Sequence, residues 1–199
     1  MTHRPTPRLS RRRLVGVVGA LAAGLAGCTG EPDGGDGATA TPTPTETESA
    51  AALTDPATVP DDASCGVYNM MPAKFPDYNA QLTVEAGDRV FFCSSGCLGA
   101  YYVAPGNFES AHEGATFAGV WAHDHATKEL IDATTAWFVR ETNADRVPDP
   151  MQRNPLPFAA EADAEAYVAE YDDLSESDIL RLDDFDMELA TFYRGRFFE

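Results

Sequence analysis

The sequence predicts an α+β fold: one small domain at residues 63–199, which follows a signal peptide and a flexible tether. Short apolar runs typical of strands occur between residues 80 and 140. An Ala-, Glu- and Asp-rich stretch at 159–171 has helical spacing of its apolar and aromatic residues. The length of the stretch suits a single hydrophobic core, and no internal repeat divides it.

Residues 1–27 are predicted to be a signal peptide. They contain five arginines and no acidic residue, and Arg11, Arg12 and Arg13 form a twin-arginine motif. The apolar run at 14–27 is about 14 residues long, too short to span the roughly 30 Å hydrocarbon core of a bilayer. It ends in Leu25-Ala26-Gly27-Cys28, which resembles a lipobox. We therefore expect an exported lipoprotein, lipidated at Cys28 and anchored to the outer face of the cytoplasmic membrane.

Residues 28–62 are predicted to be a disordered tether, because Thr, Pro, Gly and acidic residues there offer almost nothing to bury. The acidic excess extends along the whole chain, whose formal net charge is −18. Removal of the five arginines with the signal peptide lowers that charge by five, to −23. Such a surface argues against binding to nucleic acid or to an anionic membrane surface. It is typical of a halophilic protein, in which salt screens the self-repulsion.

The first half of the domain is predicted to be mainly strands. Residues 81–84 and 89–93 form a hairpin around the turn Gly87-Asp88. A short helix at 96–103 follows and is closed by Pro105-Gly106. Three further strands are predicted, at 116–123, 129–131 and 137–139.

Two helices are predicted in the second half. The stretch at 159–171 is the clearest helix of the chain. Ser175 or Ser177 is predicted to cap a last helix that contains Ile179-Leu180, because Ser-Glu-Ser-Asp resembles a capping box.

The cysteines are the main functional signal. With Cys28 assigned to lipid, Cys65, Cys93 and Cys97 remain, and an odd number in an exported domain leaves at least one thiol free or metal-bound. Cys93 and Cys97 lie at the predicted strand-to-helix turn. The positive end of that helix is expected to lower their pKa and favour thiolate.

Other possible metal donors flank these thiols. Met70 and Met71 supply thioethers close to Cys65, and His123 and His125 end a predicted strand. Thiolate and thioether ligands select Cu(I), with zinc a lesser possibility. No hydrolytic triad or paired-carboxylate site is evident, so we expect a copper-binding protein and not an enzyme.

Several alternatives remain open from the residues alone. Cys93 and Cys97 can form a structural disulfide or be small buried apolar residues, the methionines can be core filler, and the histidines can hydrogen-bond a loop. The corresponding functions are a thiol–disulfide oxidoreductase using Cys93 and Cys97, or a structural zinc or disulfide module that binds a partner.

The sequence resembles the NosL family over most of residues 65–172. The resemblance is carried by Cys65-Gly66-Val67, Ala80-Gln81-Leu82, Val90-Phe91-Phe92-Cys93-Ser94, Val120-Trp121-Ala122-His123-Asp124, Ile131-Asp132-Ala133 and Pro157-Phe158-Ala159. It implies two ββα-type units and a copper-binding lipoprotein, a metallochaperone that supplies Cu(I) to nitrous oxide reductase in denitrification. The recipient is thus expected to be that reductase, through its assembly machinery, or another exported cuproprotein.

Two features depart from the family pattern. The usual motif is Cys-Gly-Met, and Val67 stands where its methionine would be. Met70 or Met71 is the candidate replacement. The pair Cys93-x3-Cys97 is richer in sulfur than the usual family version, and with Cys65 it resembles the Cys…Cys-x3-Cys arrangement of TRASH and YHS-type modules.

Overall fold

A computed structural model describes residues 53–147, 149 and 151–199 of the chain. The predicted signal peptide, Cys28 and most of the predicted tether lie outside the described residues. Within the described part, no helix has both the length and the apolar character needed to cross a bilayer.

The first half of the domain forms a four-stranded antiparallel sheet. Its strands are β1 (Ala80–Val84), β2 (Arg89–Phe92), β3 (Phe117–His123) and β4 (Leu130–Asp132), in the order β2-β1-β3-β4. The β1–β2 hairpin forms where it was predicted, because Gly87 takes the positive φ of 112° that its turn requires. Every residue of β1 is buried, as expected of a strand at the centre of a covered sheet.

Two helices pack beside this sheet. Helix α1 (Ser95–Val103) directly follows β2 and contacts β1 and β2. A helix near the C-terminus, Met187–Arg194, packs along α1 and is N-capped by Asp186, whose carboxylate accepts the Leu189 N–H at 2.8 Å. This C-terminal helix was not predicted.

The second half forms a smaller antiparallel sheet. It contains β5 (Trp137–Val139), β6 (Leu156–Phe158) and β7 (Ile179–Leu180), in the order β6-β5-β7. Helix α2 (Glu161–Ala169) packs on it, and the C-terminal helix is therefore α3. The prediction of a helix that contains Ile179-Leu180 is wrong. Ser175 does form a capping box, but it caps a single 3-10 turn, Glu176–Asp178, and the next two residues are β7.

Each sheet has its own apolar core. The larger core lies against the four-stranded sheet and contains all three cysteines. The smaller core lies between the second sheet and α2 and is formed by Val139, Val147, Leu156, Phe158, Ala164, Val168 and Leu174. The predicted α+β class, with a sheet and helix in each half, is confirmed.

Candidate metal centre

The fold brings Cys65 against Cys93 and Cys97, which lie close together at the junction of β2 and α1. Cys65 precedes β1 and forms an isolated parallel bridge with Phe91 of β2. Cys93 directly follows β2, and Cys97 lies in the first turn of α1. The Cys65 thiol interacts with the thiols of both Cys93 and Cys97. All three are free cysteines, and they are only 7%, 0% and 0% exposed.

A glycine lets the Cys65 segment lie directly on β2. A Cβ atom at Gly66 would stand 2.5 Å from Cγ1 of Val90, so any other residue would have to displace the Val90 side chain. The Gly66 N–H donates to the Phe91 carbonyl at 2.9 Å. The chain then turns, and the Tyr68 N–H donates to Sγ of Cys65 at 3.4 Å. These contacts fix the position of the first thiol.

A second segment, around Asn154, holds the start of α1. The Asn154 side-chain oxygen accepts the Gly96 N–H at 3.1 Å and the Ser94 hydroxyl at 2.8 Å. Ser95 donates its hydroxyl to the Pro155 carbonyl at 2.6 Å. The amide of Asn154 in turn donates to Asp149. Hydrogen bonds to Asn154 thus partly replace the intrahelical partners that the first N–H groups of a helix lack.

Arg194, the last residue of α3, completes the surroundings of the thiols. It is 2% exposed, and its Nε–H donates to Sγ of Cys97 at 3.3 Å. Its guanidinium also lies 5.6 Å from the ring centroid of Tyr68. Ser94, Asn154 and Arg194 were all missed at the sequence level. Arg194 is 97 positions from Cys97, and no spacing pattern links the two.

The expectation of a lowered pKa at the helix start is wrong for Cys97. Burial raises the pKa of the Cys97 thiol well above its ordinary value of 9.0, the contact with Cys65 adds to the rise, and Arg194 opposes it. The hydrogen bond with Cys93 raises the pKa of Cys65, and burial raises it further. Without metal, both groups are therefore thiols at neutral pH.

The two methionines differ in their position relative to the thiols. The Met70 carbonyl accepts the Cys65 N–H at 2.8 Å, and its partly buried side chain packs against the core that contains the cysteines. Met71 is 38% exposed. Only Met70 is therefore placed beside the cysteine core.

The two histidines line a small cavity together with Ser95. Both ring nitrogens of His123 are hydrogen-bonded, Nδ1 to the Lys128 carbonyl at 2.9 Å and Nε2 to the Asn79 side chain at 3.2 Å. The ring of His125 packs against Phe158 and Tyr167, and burial lowers its pKa. Both histidines line the same cavity, although β3 ends at His123, and no described contact joins either ring to a thiol.

In the described part of the chain, no group of three or more His, Cys, Asp or Glu side chains is already arranged to hold a metal ion. What the fold supplies is a buried cluster of soft sulfur atoms beside one positive charge.

Comparisons with known proteins agree with this layout. The sequence profile of the NosL family matches residues 56–189. The crystal structure of the copper chaperone NosL from Shewanella denitrificans matches the fold with a TM-score of 0.54 and 19% sequence identity, over 68% of this chain and 98% of that chain. No curated protein sequence matches this chain. The three cysteines lie within the matched residues, whereas Arg194 lies beyond them.

Proposed function

The chain belongs to the NosL family, and we propose that it is a copper-binding accessory protein that holds Cu(I) on the thiolates of Cys65, Cys93 and Cys97. Soft thiolate and thioether ligands select Cu(I) over harder cations. The structural neighbour carries the description of a copper chaperone, which supports the same assignment.

One observation carries this proposal. The thiol of Cys65 interacts with those of both Cys93 and Cys97 inside the core, yet all three cysteines remain free. An apolar core offers no reason of its own to gather three sulfur atoms at one point. A soft monovalent cation does, since two or three thiolates satisfy its preferred low coordination.

Met70 is the auxiliary donor that the geometry favours, because its side chain packs against the same core as the thiols. It would also supply the thioether that Val67 does not. Met71 is more exposed, and the His123 ring would have to give up a hydrogen bond before it could bind copper. We rank these residues, together with His125, behind the three thiolates and Met70.

The recipient we propose is nitrous oxide reductase, through its assembly machinery, or another exported cuproprotein. Family membership supports this choice, and so do the twin-arginine motif and the lipobox cysteine Cys28. A lipid anchor with a flexible tether would hold the domain at the outer membrane face, where exported copper enzymes are completed. Transfer of Cu(I) from the loaded protein to the metal-free reductase, with a copper-free control, tests this part.

Titration with Cu(I) tests the central assignment. The purified chain, with Cys28→Ser in every version, competes under anaerobic conditions with a chromogenic Cu(I) chelator. Serine at Cys65, Cys93 and Cys97 together is expected to lower the affinity more than about 100-fold, beyond the loss typical of outer-shell changes. Met71→Leu, at an exposed thioether, is the matched control and is expected to bind as the parent does. An unchanged affinity in the triple variant would rule the assignment out.

The geometry disfavours the alternative of a thiol–disulfide oxidoreductase. An attacking cysteine needs an accessible thiolate, whereas Cys97 is fully buried and its pKa is raised by that burial. Turnover of a disulfide substrate without added metal would favour the enzyme. A structural zinc module would instead bind zinc at least as well as copper and unfold when the metal is removed.

A further inference from the structure

The guanidinium of Arg194 is buried, and each of its five N–H groups has a hydrogen-bond acceptor. Nε donates to Sγ of Cys97 at 3.3 Å. Nη1 donates to the carbonyls of Arg153 and Tyr193 at 2.9 and 2.8 Å. Nη2 donates to the Ser94 hydroxyl and to the Asn154 side-chain oxygen at 2.9 and 2.6 Å. Four acceptors are neutral oxygens and the fifth is a thiol sulfur.

These partners satisfy the hydrogen bonds of Arg194 but leave its charge without a direct counter-ion. The carboxylate of Asp149 is linked to it by hydrogen bonds through the amide of Asn154 and feels its charge, but the two groups form no ion pair. Among the described residues, ion pairs are seen at Arg140, Arg146 and His112, and none is seen at Arg194. A buried cation without an adjacent anion is costly, so its presence beside a thiol requires an explanation.

Copper binding would create the missing anion. When Cu⁺ binds two thiols, two S–Cu bonds form, two protons leave to solvent, and the complex carries a charge of −1. A third thiolate makes it −2 and releases a third proton. An anionic complex in a dry core is unfavourable unless a positive charge stands next to it.

We propose that Arg194 is the built-in counter-charge of the copper–thiolate complex and a positioning residue for it. This inference rests on the proposed function and extends it to a residue outside the matched family segment. In the metal-free protein the guanidinium already orients Cys97 through the Nε–H···Sγ bond. When copper is bound, the same group balances the charge of the complex.

The inference also bears on metal selectivity. For any given number of thiolates, the Cu(I) complex is one charge more negative than the Zn(II) complex. Attraction to the fixed positive charge is therefore greater for Cu(I). Removal of the charge should weaken Cu(I) binding more than Zn(II) binding, which a purely structural arginine would not do.

Three variants of the chain carrying Cys28→Ser separate these roles. Arg194→Gln removes the charge and keeps an amide donor. Arg194→Lys keeps the charge and loses the planar fork. Ser94→Ala keeps the charge and removes the hydrogen bonds of the Ser94 hydroxyl with Arg194, Asn154 and Cys97. Cu(I) and Zn(II) affinities are measured by chelator competition, and unfolding midpoints are measured without metal.

Arg194→Gln is expected to lower Cu(I) affinity about 10- to 100-fold, the range typical of outer-shell partners, and Zn(II) affinity by a smaller factor. Arg194→Lys and Ser94→Ala should keep the parent ratio of Cu(I) to Zn(II) affinity, even if both unfold more easily. If Arg194→Gln weakens both metals equally, or changes only the unfolding midpoint, the counter-charge role is overturned.

Two further outcomes are decisive. If Arg194→Gln does not fold, the lysine variant decides alone: a lowered Cu(I) to Zn(II) ratio there, with a normal ratio in Ser94→Ala, contradicts the inference. Failure of the proposed function gives a different result, because the three-serine variant would then bind Cu(I) as the parent does. If only this inference is wrong, replacing the three cysteines by serine still lowers the Cu(I) affinity.

Discussion

Single atoms decide how closely the segments around the thiols approach one another. At Gly96, a Cβ atom would stand 2.5 Å from the Asn154 side-chain oxygen and 2.6 Å from Nη2 of Arg194. Both atoms are held by hydrogen bonds in the buried network, so they cannot easily move aside. The absence of a side chain here is what allows the network to close over the start of α1.

We expect Gly96→Ala to lower the free energy of unfolding by about 1–3 kcal/mol, the usual cost of overpacking a buried site. Urea denaturation of the metal-free protein measures it. The control is Gly195→Ala, because Gly195 has helical dihedral angles and its Cβ would meet Cγ2 of Thr191 at an ordinary 3.7 Å. If both substitutions had the same small effect, the packing described for Gly96 would be incorrect.

Buried thiols make the metal-free protein sensitive to alkaline pH. The folded-state pKa of Cys97 lies well above 9.0, chiefly because of burial, so in the unfolded chain this thiol ionises first as pH rises. The folded state then holds more protons than the unfolded state. Its stabilisation by Cys97 is complete below pH 9 and is lost as pH rises toward the folded-state pKa.

We therefore expect the free energy of unfolding to fall as pH rises above 9, by up to about 1.4 kcal/mol per pH unit for one thiol. Urea denaturation across this range measures the slope. Cys97→Ser should reduce it, and Cys65, whose pKa is also raised, accounts for what remains. The pKa of buried Tyr101 is raised from 10.0 to about 12, chiefly by burial, so this phenol adds its own slope only at higher pH. A slope unchanged by Cys97→Ser would mean that Cys97 is not the group responsible.

At the scale of elements, the segment after α3 packs on Tyr68, a neighbour of the thiol cluster. The ring of Tyr68 packs edge-on against Phe197 with centroids 4.9 Å apart, and the guanidinium of Arg196 lies 4.1 Å from its centroid. Tyr68 in turn donates its N–H to Cys65. The thiols are buried, so we expect copper to reach them when the structure around Tyr68 loosens, and this segment packs on Tyr68.

Deletion of residues 195–199 is expected to speed modification of the Cys65 thiol by a water-soluble disulfide reagent about tenfold, since local opening governs the reactivity of buried groups. Thr191→Ala, at an exposed position on α3, is the control and should react as the parent does. A deletion that left the rate unchanged would show that access is governed elsewhere.

Elements with a strong local pattern were predictable from the sequence. The hairpin was predicted because alternating apolar residues flank a glycine turn, and α2 because of its composition. β6 was missed because Pro157 argues against a strand, although proline is tolerated at the edge position that β6 occupies. β7 has only two residues, which is too short to show the alternation of apolar and polar residues that marks a strand. α3 was also missed, although Asp186, its N-cap residue, marks its start in the sequence.

The candidate site was predictable only in part, for a similar reason. Cys93 and Cys97 are close in sequence at a strand-to-helix turn, so their proximity follows from local structure. Cys65 joins them through a non-local bridge to β2, and Arg194 through the packing of α3 on α1. Neither contact follows from a periodic pattern in the sequence, so both can be read only from the tertiary structure.

At the scale of the whole molecule, charge is the dominant property. The chain carries 32 acidic and 14 basic residues. Mutual repulsion of so many carboxylates opposes the compact state, and salt screens it. We expect the thermal unfolding midpoint to rise between low and multimolar potassium chloride. A midpoint that stayed constant or fell would contradict the halophilic interpretation.

The central claim is that Cu(I) is held by the thiolates of Cys65, Cys93 and Cys97. X-ray absorption at the copper edge of the loaded protein tests it most directly, because it identifies the atoms bound to the metal. We predict a Cu(I) edge with a low-coordinate first shell made only of sulfur, which is lost when all three cysteines are replaced by serine. A first shell dominated by nitrogen or oxygen, or a sulfur shell that survives the three substitutions, would contradict the claim.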